Sequence, residues 1–362
     1  MTATTHDDVQ AVGRLEKPVR WAILAGSAVA AIALLAAVGA LSPLSVVLVG
    51  ALIYCAAIYV AARAVEGARH ATDRLVTGVV TTAFLLAMVP LISVIWTIVS
   101  KGLDRFDVEF FTYSMRGVGS GDTGGAYHAI IGTVLTTGIA TLISVPIGLF
   151  AAIYLVEYGN KGALARGLTF FVDVMTGIPS IVAGLFAYAL FAVIFGPGVR
   201  MGIVGSVALS VLMIPVVVRS CEEMLRLVPN ELREAAYALG VPKWLTVVRV
   251  VLRTSIAGIT TGVMLAVARV IGETAPLLIT VGVVDSINGN LFEGRMMTLP
   301  VYVYRQYSQG LVPCSNVTDV VCIPDINYDR AWAAALTLIL IVMLLNLVGR
   351  LVTRWFAPKT LR

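Results

Sequence analysis

Two ionisable residues lie inside an otherwise uncharged apolar stretch. Arg269 and Glu273 are the only charged residues between Ser255 and Val284. A guanidinium presents a planar fork of N–H donors that matches the oxygens of an oxyanion, and a carboxylate accepts a hydrogen bond from a protonated anion oxygen. Their spacing of four residues predicts that both side chains lie on one face of a helix. We predict that the pair helps to move an anion; the alternative is a self-neutralising pair that only packs against a neighbouring helix.

Patterns typical of other chemistry do not occur in the sequence. Without a Gly-Lys dipeptide there is no Walker A phosphate loop, and there is no Gly-x-Ser-x-Gly nucleophile elbow. His6, His70 and His128 are scattered, and no Cys/His group has metal-ligand spacing. We therefore expect neither an embedded hydrolase nor a self-contained ATPase, and no metal site.

The composition predicts the surroundings of the charged pair. Apolar residue types make up 59% of the 362 residues and charged types only 13%, whereas soluble domains carry roughly 25% charged residues. Such a chain has too few charges to coat a soluble body of this size. The composition therefore indicates an all-α protein of the membrane with several spans.

Long uncharged runs locate these spans, because a spanning helix needs roughly 20 apolar residues. Continuous rather than alternating apolar runs favour helices over a barrel. We predict eight transmembrane helices, of which the first two form a hairpin broken at Ser42-Pro43. The runs are 21–62, 75–100, 130–156, 174–199, 201–218, 255–284 and 331–349.

The distribution of basic residues orients the chain. With the N-terminus in the cytoplasm, cytoplasmic segments hold 18 of the 26 Lys and Arg residues, as the positive-inside rule requires. Both termini are then cytoplasmic, and the basic segments face anionic lipid rather than nucleic acid. We divide the chain into a tail at 1–21, an extra hairpin with its loop at 22–74, a six-span domain at 75–356 and a tail at 357–362.

The cytoplasmic segment 219–253 is unusually long and rich in charges of both signs. We predict a short surface helix at 231–239, with Gly240 as its C-cap and Pro242 as the stop before a second, basic helix. A loop of this length between spans is typical of partner binding rather than of a simple connection.

Three further features follow from residue types. Breaks at Gly177–Ser180 and at Gly272–Pro276 interrupt two spans, because proline removes a backbone donor. Asp173, close to the cytoplasmic end of its span, is expected to have a structural role. Cys314 and Cys322, in an outside loop, could close a disulfide or remain free thiols.

The motifs in these segments resemble one family. Glu234-Ala235-Ala236-Tyr237-Ala238-Leu239-Gly240 is similar to the EAA loop of binding-protein-dependent ABC importer permeases. The run Ala268 to Leu278, which contains Gly-Glu-Thr-Ala-Pro, and the run Pro179 to Phe186 resemble PstA-type phosphate permeases. The resemblance covers roughly residues 75 to 355 and leaves the first hairpin outside.

The resemblance implies a type I importer core and a role for each motif. The EAA residues Glu234, Ala235, Ala236 and Gly240 would form a coupling helix that docks on a separate ATPase. The implied partners are a second, PstC-type permease, a PstB-type ATPase dimer that binds ATP and Mg, a PstS-type phosphate-binding protein outside, and membrane lipid. The chain itself would need no cofactor and would lie in the bacterial cell membrane as a transport subunit.

Three alternatives remain open from the sequence. A permease for sulfate or molybdate is the nearest one, because only the resemblance selects phosphate. A secondary transporter would need its own coupling-ion site, often in repeated halves, and the sequence shows no convincing internal repeat. A membrane enzyme would need a nucleophile or a metal constellation.

Overall fold

The computed structural model describes residues 17–119, 121–159, 162–313 and 322–356. The chain forms two compact units, Met1–Trp96 and Thr97–Arg362. The boundary between them falls inside one long helix, Ala68–Gly102 (α3). The predicted boundary at 74/75 lies within the same helix and stays a prediction.

The first unit contains the predicted hairpin. Helix α1 spans Lys17–Val38 and helix α2 spans Pro43–Val65. Ser42 caps α2, because its hydroxyl accepts from Ser45 N at 3.1 Å while Ser45 Oγ accepts from Ser42 N at 3.0 Å. This reciprocal capping box fixes the turn between the helices.

The second unit holds the remaining helices. They are α4 Val108–Thr112, α5 Tyr127–Ile153, α6 Ala163–Thr176, α7 Ser180–Phe195, α8 Gly202–Arg226, α9 Asn230–Ala238, α10 Lys243–Thr246, α11 Leu252–Val270, α12 Ala275–Thr280, α13 Leu299–Gln309 and α14 Ile326–Phe356. A 3-10 turn at Leu103–Arg105 and π-helical turns at Tyr154–Tyr158 and Val247–Val251 complete the regular structure of the described residues.

The number of spans agrees with the prediction. Seven of the described helices are long and apolar enough to cross a membrane, and the bent pair α6–α7 gives an eighth when it is counted as one span. The predicted break at Gly177–Ser180 within the run 174–199 is confirmed. Helix α6 ends at Thr176, α7 begins at Ser180, and their axes differ by 110°, because Pro179 holds an extended conformation between them.

Helix α8 is the centre of the second unit. A Cβ on Gly148 of α5 would stand 2.6 Å from Val217 Cγ1, and a Cβ on Gly262 of α11 would stand 2.5 Å from Ser220 Cβ. Glycine at these contacts lets α5 and α11 approach α8 closely, which is how helices associate where lipid weakens the hydrophobic driving force.

Candidate functional site

The predicted anion-handling residues lie at a helix end. Arg269 is in the last turn of α11, which ends at Val270, and the Glu273 backbone N–H donates to Val270 O at 3.1 Å. Glu273 therefore belongs to the turn before α12 rather than to α11. The expectation that both side chains share one face of a continuous helix is wrong, because α11 ends at Val270 and Glu273 lies within the break at Gly272–Pro276.

Arg269 continues an exposed stripe along α11. Thr261, Leu265 and Arg269 are exposed at intervals of four residues, while Val263 and Val267 on the other side are buried. Within the described parts of the chain, neither Arg269 nor Glu273 forms an ion pair. Arg269 and Glu273 therefore do not neutralise each other in this structure.

The depth of Arg269 follows from helix length. Arg253 is the preceding charged residue, sixteen positions earlier, which corresponds to roughly 24 Å along a helix. A hydrocarbon core is about 30 Å thick, so a cytoplasmic surface at Arg253 places Arg269 inside the core, beyond its centre, where a charge is still costly. Such a charge needs a polar surface opposite it, and the exposed stripe is where a second subunit or an anion can supply one.

The helices that follow the two breaks pack against each other. Gly184 of α7 packs on Pro276 of α12, so that a Cβ on Gly184 would stand 2.7 Å from Pro276 Cα. Pro276 occupies the first turn of α12, where its missing N–H leaves no donor unsatisfied. The runs Pro179 to Phe186 and Ala268 to Leu278, about ninety residues apart in the sequence, are thus in contact.

The predicted surface helix is present as α9. It ends at Ala238, and Gly240 follows with φ +75°, a left-handed conformation that favours glycine. Val241 N donates to Ala236 O at 3.1 Å and closes the last turn. Pro242 then precedes α10, as predicted.

Helix α9 has an inner and an outer face. Ala236 is buried against the protein, whereas Glu234 and Ala235 are exposed. Large apolar side chains are exposed around them, including Tyr237 at 41% and Leu239 at 83%. A mixed apolar and acidic face of this kind is suited to docking a protein.

Arg233 holds α9 to the membrane domain. Its Nε and Nη2 donate to Glu157 Oε1 at 3.0 and 2.8 Å, and Nη1 and Nη2 donate to the carbonyl oxygens of Val228 and Leu225 at 2.6 and 3.0 Å. Only 12% of the Arg233 side chain and 4% of the Glu157 side chain are exposed. One guanidinium therefore joins α9, the end of α8 and the π-helical turn that extends α5.

A second ionic cluster lies near the cytoplasmic end of α8. Arg219 pairs with Asp173 of α6, and its Nη1 donates to Glu222 Oε2 at 2.8 Å. Arg226 donates to the other oxygen of Glu222 at 2.5 Å. Asp173 thus ties α6 to α8, consistent with the structural role expected for it.

The predicted residues fall into two separate regions. The helical stretch Lys243–Val270 connects them and contains 28 residues, roughly 42 Å at a rise of 1.5 Å per residue. Sequence reasoning missed Glu157, because it is 76 positions from Arg233 and only the fold brings the two together. Cys314 lies outside the described residues, so its pairing with Cys322 stays a prediction.

Comparisons with known proteins agree with these motifs. Residues 144–362 match the family model described as "Binding-protein-dependent transport system inner membrane component". The phosphate transport system permease protein PstA 1 of Mycobacterium tuberculosis (strain H37Rv) is 43% identical over 283 residues, which are 78% of this chain and 87% of that protein.

Two further relatives have the same description. PstA of Mycobacterium leprae is 45% identical over 273 residues, 74% of this chain and 84% of the relative. PstA of Yersinia pestis is 36% identical over 295 residues, which are 80% of this chain and 92% of that relative. With its membrane-spanning helices, the chain is a component of a bacterial membrane. It belongs to the binding-protein-dependent transport system inner membrane components, and within them to the family of the PstA permease proteins.

Proposed function

We propose that the chain is a transmembrane subunit of an ATP-driven importer of inorganic phosphate and forms half of its translocation path. The observation that carries this proposal is the anchored helix α9, present in a member of the PstA family. An exposed helix fastened to the transmembrane body by a buried ion pair can transmit force from a motor below the membrane.

The chemistry of the helix break suits phosphate. Arg269, exposed on α11, offers its guanidinium fork to phosphate oxygens. Phosphate at neutral pH keeps a proton on at least one oxygen, and the Glu273 carboxylate accepts a hydrogen bond from it. Fully ionised sulfate has no such proton and meets repulsion instead, so the same carboxylate excludes it.

A second role for the same pair is compatible with these positions. Both side chains are accessible on the isolated chain and form no ion pair among its described residues. Facing a second permease subunit, they would form ion pairs across the interface and gate the path. Gating ion pairs and transient phosphate contacts can alternate in one transport cycle.

Partners supply the functions that this chain lacks in our proposal. A PstC-type permease would complete the path, and a PstB-type ATPase dimer, which binds ATP and Mg, would dock on α9. A PstS-type binding protein would deliver phosphate from outside. The chain is then a transport subunit, and ATP hydrolysis belongs to the assembled complex.

The test is a reconstitution of the chain with these candidate partners in proteoliposomes. ATPase activity is measured with the binding protein loaded with phosphate or with an excess of free sulfate. We expect stimulation and uptake with phosphate only. If a sulfate-binding protein loaded with sulfate stimulated the ATPase activity equally, the chain would be assigned to another oxyanion. ATPase activity without any transport would contradict the proposal.

A further inference from the structure

The first unit contains a cavity of about 580 Å³ between α1, α2 and the beginning of α3. Its walls are mostly apolar and include Leu24, Val47 and Leu85. All of its lining residues precede position 144, where the match to the family model begins. Most of its lining residues belong to α1 and α2, the extra hairpin, to which the transport function proposed above assigns no role.

The length of the cavity corresponds to one leaflet of a bilayer. Along α3 its lining extends from Asp73 to Leu85, twelve residues or roughly 18 Å. Half of a hydrocarbon core about 30 Å thick is about 15 Å. The cavity thus extends from a membrane surface to about the bilayer midplane.

Charged groups lie at one end only. Arg20, Asp73 and Arg74 line the cavity at the beginnings of α1 and α3, the ends that the positive-inside rule places at the cytoplasmic surface. Farther along both helices the lining is uncharged. An apolar slot with a charged mouth at the membrane surface has the polarity of a lipid.

The mouth carries charges of both signs. Arg74 is held by Glu66, with Nε–Oε2 and Nη2–Oε1 distances of 3.1 Å each, so that its Nη1 remains for another acceptor. Asp73 is exposed and forms no ion pair among the described residues. A headgroup that is only negative would be repelled by Asp73, whereas one with a phosphate and an ammonium group matches both side chains.

We propose that this cavity binds one membrane phospholipid of the ethanolamine type. The phosphate of its headgroup accepts hydrogen bonds from Arg74, and its primary ammonium donates to Asp73. One acyl chain fills the apolar slot between α1, α2 and α3. The first unit then binds a lipid of the inner leaflet.

The proposal is tested on the full chain. It is first reconstituted into nanodiscs of equal parts phosphatidylethanolamine, phosphatidylglycerol and phosphatidylcholine, and it is then purified from them again in mild detergent. Retained lipid is quantified by mass spectrometry. Ala51 lines the cavity, and Ala51→Trp is expected to fill it and abolish retention. Leu52→Trp is the matched control, because Leu52 is 72% exposed and is not among the lining residues.

A second variant tests the headgroup contact without changing the packing of the three helices. Asp73→Asn, at an exposed side chain, is expected to lower the preference for phosphatidylethanolamine over phosphatidylcholine roughly three- to tenfold, the scale of one charge-assisted hydrogen bond. Equal retention of the three lipids by the wild-type chain, or unchanged phosphatidylethanolamine retention in both Ala51→Trp and Asp73→Asn, would overturn the proposal. Preferential retention of phosphatidylglycerol would also overturn it.

Discussion

Arg233 on α9 and Glu157 in the π-helical turn that follows α5 form a buried ion pair in which two guanidinium nitrogens donate to one carboxylate oxygen. The same guanidinium donates to carbonyl oxygens of Leu225 and Val228. Displacement of α9 therefore pulls on α5 and α8 together, and α5 and α8 pack closely at Gly148. In the proposed importer this pair carries movement from the ATPase into the membrane.

Glu157→Gln tests this pair. Removal of one partner of a buried ion pair typically costs about 3–5 kcal/mol, and here the loss loosens α9 while its outer face stays unchanged. We expect the ATPase to bind, but phosphate transported per ATP hydrolysed to fall severalfold in proteoliposomes.

A charge-exchanged double variant is the control for the pair. Glu157→Arg combined with Arg233→Glu is expected to recover part of the coupling that each single substitution loses. A transport-to-ATPase ratio that is unchanged in Glu157→Gln would show that the pair only stabilises the fold.

Glu234→Lys tests the outer face of α9. Glu234 is exposed, so the substitution should leave the stability of the chain within about 0.5 kcal/mol. We expect release of the ATPase subunit during co-purification, or ATP hydrolysis without uptake. Retained assembly together with retained transport would argue against α9 as the docking helix.

Gly240→Val tests the end of the same helix. Gly240 has φ +75°, and a non-glycine residue in that region costs roughly 1–2 kcal/mol. The last turn of α9 should open, and binding of the ATPase should weaken. Gly167→Val is a comparison, since a Cβ at Gly167 would meet nothing within 4 Å and no left-handed φ is recorded there; a similar loss in both variants would speak against a specific role of Gly240.

Gly184→Leu tests the contact between α7 and α12, the helices that follow the two breaks. Any side chain at Gly184 collides with the backbone of Pro276, where a Cβ would stand 2.7 Å from Cα. We expect α7 to be pushed from α12 and phosphate uptake to be lost. Gly177→Ala is the milder counterpart, because its nearest neighbour is Val174 O at 3.6 Å; uptake that survives in Gly184→Leu would make the contact dispensable.

Local signals in the sequence predicted much of the fold. The hairpin break at Ser42-Pro43, the break before Ser180 and the stop at Gly240 depend on residues next to the feature itself, and the structure confirms them. Uncharged runs located the spans because the thickness of a bilayer sets their length.

Long-range relationships were not predictable in the same way. The contacts of Glu157 with Arg233 and of Asp173 with Arg219 join residues 76 and 46 positions apart, and no local pattern encodes them. The same-face prediction for Arg269 and Glu273 failed for a different reason. It applied helical spacing across a break that the sequence itself contains at Gly272–Pro276.

The most direct test of the account is phosphate uptake by the assembled complex that carries Arg269→Gln. Thr261→Ala, on the same exposed stripe of α11, is the matched control, and co-purification of all subunits verifies assembly. We predict that Arg269→Gln assembles normally and abolishes uptake, while Thr261→Ala transports normally. Normal phosphate uptake by the Arg269→Gln complex would contradict the claim that this guanidinium serves the passage of the anion.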